Sequence, residues 1–315
     1  MTFIRPVLLM IALLACLQAC GADTSGESTA AGEPLTYKVY FLAGQSNMDG
    51  HGKVKELQPD MNAPVEGVYI FEGRMREDGR SNAGVGLWQV LEPGFGTGFS
   101  TNGKRNRLSD RFGPELSFGR RMQVLQPNEN IAIIKYARGG TALVHGISSY
   151  GSWDPDYSEE NGQNQYDHAL ATLRNAFEAS DINGDGVTDR LVPAGIVWMQ
   201  GEADAAGGRQ AAVNYERNLR RMMDLLRAAL RTDDLPLVIG RIKDSGDTPE
   251  TRVMQFSPEV RAQQQAFVEA DPCAALVTVT DSFRFLPDGW HYLSEDYVAL
   301  GEAFAEEMMS LEQAC

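Results

Sequence analysis

Five short apolar runs, at 37–42, 131–136, 194–199, 237–241 and 276–280, alternate along this chain with segments whose apolar residues recur at spacings of three and four. Those segments are 115–125, 165–179, 211–230, 258–270 and 294–311. A continuous apolar run suits a strand covered on both faces, and the spacing of three and four suits a helix with one buried stripe. Parallel strands need crossovers, and right-handed crossovers lay the helices against the sheet. The alternation therefore predicts an α/β fold with a central parallel five-stranded sheet between two helical layers. A chain of 315 residues, 43% hydrophobic, is long enough to bury such a core in one large domain.

The stretch 49–112 breaks this rhythm, being rich in Gly and polar residues. A segment of that length is seldom structureless in a compact domain. It is expected to run over the active face and shape the substrate site.

The first twenty residues hold Arg5, an apolar run across 7–17 and the sequence Leu17-Gln18-Ala19-Cys20. The run is short for a membrane span, and a small residue before a cysteine suits a lipoprotein signal. The expected organisation is a signal peptide at 1–19, a lipidated Cys20 with a flexible tether through 34, and one domain over 35–315. The protein is then exported and held at a membrane by its lipid, in the periplasm or at the cell surface. Cys16 leaves with the signal, so Cys273 and Cys315 remain, either as a pair or as two buried thiols. If paired they stabilise the fold by about 4 kcal/mol in the chain-entropy account. A net charge of -15 lacks the basic footprint of a nucleic-acid binder.

In a parallel α/β sheet, ligands meet the carboxyl ends of the strands, so chemistry is sought in the residues that follow each strand. Gly44-Gln45-Ser46-Asn47-Met48 follows the first, Arg138-Gly139-Gly140-Thr141 the second and Gln200-Gly201-Glu202-Ala203-Asp204 the third. Asp288-Gly289-Trp290-His291 follows the fifth. These are the ingredients of acyl transfer. Ser46 is the candidate nucleophile, His291 its base, and Asp288 the acid that orients the base; Glu202 is the alternative acid. Oxyanion donors are expected from the Ser46 and Gly140 N–H groups and from the Gln200 side-chain amide. Gln45, Asn47, His51 and His145 are expected near the substrate, and His168, inside a helical pattern, is expected to be structural.

Asp181, Asn183, Asp185, Val187 and Asp189 fall at alternate positions with Gly186 between them, the spacing of an EF-hand-like calcium loop. Val192 stands at the twelfth position in place of the usual Glu. A structural calcium and a plain acidic turn both fit. No cofactor is expected for catalysis.

The four strand-end blocks, taken in order, resemble the SGNH-hydrolase superfamily, and within it the group of sialate O-acetylesterases and carbohydrate esterase family six, which includes acetyl xylan esterases. The resemblance runs from Tyr37 to the C-terminus. It implies a three-layer, flavodoxin-like α/β/α sandwich and metal-free removal of acetyl groups from sugar hydroxyls, with an acetylated carbohydrate as partner. Its nucleophile, base and acid fall on Ser46, His291 and Asp288, and its oxyanion donors on Ser46, Gly140 and Gln200. Met199 stands where the family often has a histidine.

Overall fold

The computed structural model describes residues 32–75, 83–157 and 163–315. The expected signal segment, Cys20 and the tether up to residue 31 lie outside the described residues. Among the described residues no helix is long and apolar enough to cross a membrane.

Seven strands form the central sheet: β1 (Thr36–Gly44), β2 (Val65–Glu72), β3 (Gln89–Leu91), β4 (Asn130–Ala137), β5 (Arg190–Met199), β6 (Leu237–Gly240) and β7 (Ala274–Val277). Their order is β7-β6-β5-β1-β4-β2-β3. All neighbours pair in parallel except β2 and β3, which are antiparallel. The five expected strands are thus present, and counted alone they lie in the flavodoxin-like order 2-1-3-4-5.

The sheet has seven strands rather than five because the 49–112 stretch supplies two more. In β2, Val65, Val68, Ile70 and Phe71 are buried, but Gly67, at φ 80°, and a register shift between Val65 and Tyr69 break its pattern. β3 is only three residues long. β3 leaves no long apolar run, whereas β2 carries the run Val68-Tyr69-Ile70-Phe71 inside a Gly-rich polar stretch that masks it.

The helices are α1 (Ser46–Asp49), α2 (Glu115–Leu125), α3 (Gln165–Glu178), α4 (Glu202–Gly207), α5 (Arg209–Val213), α6 (Tyr215–Ala229), α7 (Ser257–Ala270) and α8 (Ser294–Ala314). The helix expected over 211–230 is divided at Asn214 into α5 and α6. Successive residues of a strand serve opposite faces of the sheet. Lys135 of β4 reaches Glu115 on α2, while Tyr136 reaches Gln165 on α3. α8 packs with α2 on the first face, and α6 packs with α7 on the second, where the Trp198 indole of β5 donates to Tyr215 at 3.2 Å.

Leu35 donates its N–H to Asp189 at 3.0 Å, which ties the start of β1 to the start of β5. Cys273 and Cys315 are joined in a disulfide, with Cα atoms 5.9 Å apart, so the C-terminus of α8 is fastened to the start of β7.

Candidate active site

The carboxyl ends of β1 and β5 touch at Gly44. A Cβ on that residue would stand 2.0 Å from the Met199 carbonyl oxygen, and its φ is 151°, so only glycine fits. Gln45 then donates to the same carbonyl at 2.9 Å, and the chain turns directly into α1 with Ser46 as its first residue. Beside it lies the turn after β4, where a Cβ on Gly139 would come within 3.3 Å of the Ser46 Cβ. Gly140 has φ 75°, and its far side is closed by the Tyr150 ring. Among the described residues no hydrogen bond takes the N–H of Ser46 or of Gly140.

His291 comes from the loop between β7 and α8. The Asp288 carboxylate folds this loop by accepting the N–H groups of Trp290 at 2.8 Å and His291 at 3.1 Å on Oδ1. Its other oxygen, Oδ2, meets His291 Nδ1 at 2.8 Å. Partial burial raises this carboxyl, but the bonds from His291 and the two amides outweigh it and hold it below the usual range. With Nδ1 engaged, Nε2 is the ring nitrogen left to serve the cavity. Ser46, Gly139, Gly140 and His291 all line one cavity of about 620 Å³.

Glu202 is directed elsewhere. It is 1% exposed, and its Oε1 accepts the Asn47 amide at 2.7 Å. Asn47 in turn donates to the Trp290 carbonyl at 3.2 Å and accepts the Tyr297 hydroxyl at 2.7 Å. Asn47, expected near the substrate, is buried and forms a clip joining α1, α4 and the His291 loop. Burial raises the Glu202 carboxyl, and the Asn47 bond works against that rise.

Gln200 also differs from expectation. It is fully buried, and its side-chain amide is committed to the Thr141 carbonyl at 3.0 Å and to Asp204 Oδ2 at 2.6 Å. An amide nitrogen has two hydrogens, so none is left for an oxyanion. The Asp204 carboxyl, pushed up to about 7 by burial, also receives the Leu143 N–H at 3.0 Å. The pair therefore anchors the glycine turn rather than touching the reacting atoms.

Gln45 reaches the cavity wall while its side-chain oxygen accepts the N–H of Ala203 at 3.2 Å. His51 also lines the cavity, with its ring stacked on that of His291. His145 does not; it is exposed and stacks on Tyr157 with centroids 4.1 Å apart. His168 is buried, with Nδ1 at 2.6 Å from the Asn164 carbonyl oxygen.

Two groups escaped the sequence reading. Arg138 lines the cavity, and its buried Nε has no hydrogen-bond partner among the described residues. Lys135, beneath α1, is fully buried and bonded to Glu115 at 2.8 Å and to the carbonyls of Asp49 and Phe95. A lysine inside an apolar strand run was the available signal, since such a charge needs a partner.

In the 181–189 turn, Asp181 accepts the N–H groups of Gly184 and Gly186 at 2.9 and 3.0 Å, and Asp189 accepts those of Leu35 and Ile182. Among the described residues no three His, Cys, Asp or Glu side chains converge on one point. These bonds close the turn, and each carboxylate keeps further lone pairs beyond the amides it accepts.

Structural comparison supports the fold. An Arabidopsis thaliana protein is 18% identical with a TM-score of 0.64, over 90% of this chain and 100% of that one. A carbohydrate acetylesterase from Xanthomonas citri is 15% identical with a TM-score of 0.60, over 88% of this chain and 57% of that one. NanS is 18% identical with a TM-score of 0.57, over 89% and 98% of the two chains. No curated protein matches the chain. Residues 36–310, by contrast, match a family described as carbohydrate esterase, sialic acid-specific acetylesterase, and by that match the chain belongs to this family of ester-hydrolysing enzymes.

Proposed function

We propose that the protein is a serine O-acetylesterase that removes acetyl groups from sugar hydroxyls through an acetyl-Ser46 intermediate. The observation that carries this reading is the opening of Ser46, Gly140 and the Asp288-bound His291 onto one cavity. His291 Nε2 takes the Ser46 proton as Oγ attacks the acetyl carbonyl. The N–H groups of Ser46 and Gly140 receive the oxyanion, each such donor being worth about 3 kcal/mol. His291 returns the proton to the departing sugar oxygen, then takes one from the water that attacks the acetyl carbon and gives it to Ser46 Oγ as acetate leaves.

Arg138 favours an acetylated sugar that bears a carboxylate, such as a sialic acid, over a neutral acetylated xylan. Arg138 is among the residues that line the cavity, and its fixed positive charge would attract a carboxylate there. Acetate release from O-acetylated sialic acid and from acetylated xylan, by the wild type and by Ser46→Ala, tests both points. Equal release by the two proteins refutes the serine mechanism, and a preference for xylan refutes the role given to Arg138.

A lipase, thioesterase or arylesterase on the same fold would instead turn over long acyl or aryl esters faster than acetyl sugars. A glycan-binding lipoprotein without activity would bind sugar and leave a fluorophosphonate probe unreacted. Export and a lipid anchor at Cys20 are part of the proposal, supported by the 1–20 pattern. Palmitate labelling that persists in Cys20→Ser would remove the anchor.

A further inference from the structure

His51 has no part in the steps above, yet its ring lies face to face with His291, the centroids 3.6 Å apart and the planes 15° from parallel. Its backbone is fixed: Arg111 donates to the His51 carbonyl at 2.9 Å, and the next residue, Gly52, pairs with Phe112. The backbone that carries the ring is therefore held by the framework. The charged or titratable groups that face it are His291, Arg111 and Asp288. Burial, then His291 and Arg111, push this imidazole down to about 4, so it is neutral at ordinary pH.

His291 needs such a neighbour. Its one side-chain bond is to Asp288, whose side chain is 45% exposed, and one bond leaves a ring free to tilt about it. We infer that His51 is a positioning residue: its uncharged ring is a plate that fixes the plane of His291 and keeps Nε2 aimed at the Ser46 hydroxyl. The inference rests on His291 being the general base. A neutral aromatic face also tolerates the imidazolium formed during acyl transfer, whereas a second cation at this distance would oppose it. This differs from a substrate contact, which would act through binding.

The test uses the full-length enzyme with 4-nitrophenyl acetate, a neutral ester too small to depend on sugar contacts. His51→Ala is expected to lower kcat by about 30- to 100-fold with KM within about twofold, the cost of a misaimed catalytic group. His51→Phe, which restores a flat ring without a hydrogen-bonding nitrogen, is expected to recover kcat to within about fivefold of wild type. A kcat for His51→Ala within about twofold of wild type overturns the inference. So does a rise in KM at unchanged kcat, or a His51→Phe variant as slow as His51→Ala. Should His51→Ala melt below the assay temperature, His51→Gln takes its place, and equal rates for Gln and Phe overturn the inference. His291→Ala separates the two readings. If it keeps wild-type activity, the assignment of the base fails and takes this inference with it; if it is inactive while His51→Ala is at full rate, only the role of His51 fails.

Discussion

Lys135→Met removes the cation beneath α1 and leaves a side chain of similar length. In the intact protein the ammonium holds Glu115 at 2.8 Å, stands 3.7 Å from Glu72, and donates to the carbonyls of Asp49 and Phe95. All three charged groups are at most 3% exposed. Breaking a buried pair by deleting one partner costs about 3–5 kcal/mol, because the other charge stays behind without water. At about 2–4 °C per kcal/mol for a domain of this size, the melting temperature should fall by about 10 °C.

The loss should also depend on pH, with a definite sign. Burial raises both carboxyls, and Lys135 is the strongest influence lowering each of them. A carboxyl whose folded pKa is raised takes up a proton on folding, so its contribution falls as pH rises from its unfolded value through its folded one. Glu72, pushed up to about 8, carries this dependence in both proteins. Both carboxyls lose Lys135 in the variant, so both windows extend upward there. The variant's deficit should therefore widen by up to about 1.4 kcal/mol per pH unit for each carboxyl that stays protonated. Paired thermal melts at pH 5.5 and 8 read this directly. A deficit below about 1 kcal/mol, or one equal at both pH values, would refute the account of a charge-balanced platform.

Three further outcomes follow from the same contacts. Asp288→Asn should lower kcat by about 10²- to 10⁴-fold, since the orienting carboxylate is lost, while Glu202→Gln should lower the melting temperature before it lowers kcat; rate assays beside thermal melts would show the reverse if Glu202 were the orienting acid. Cys315→Ser opens a link spanning 42 residues and should cost about 4 kcal/mol in the chain-entropy account, measured by urea unfolding without reductant. If the 181–189 turn holds a structural calcium, excess chelator should lower the melting temperature and added calcium should restore it; no shift in either direction would remove the ion from that turn.

The sequence by itself determined the layers and the strand ends at which the candidate site lies. Hydrophobic period is a local property, so the runs that became β1, β4, β5, β6 and β7 were visible without knowledge of their partners, as was α2 to the residue. Ser46, Gly140, Asp288 and His291 were legible because a parallel sheet collects its strand ends at one edge, and the spacing of Asp288 and His291 suits a tight loop. The tertiary structure alone decided the rest. β2 and β3 sit in a Gly-rich polar stretch that hides them, and they exist as strands because β4 offers an edge to β2 and β2 in turn offers one to β3. Asn47 and Gln200 carry polar groups that any substrate would suit, yet packing turned both inward, onto Glu202 and onto Thr141 with Asp204. The stacking of His51 on His291 joins residues 240 positions apart, and it depends on two loops meeting above the sheet, which no local pattern encodes.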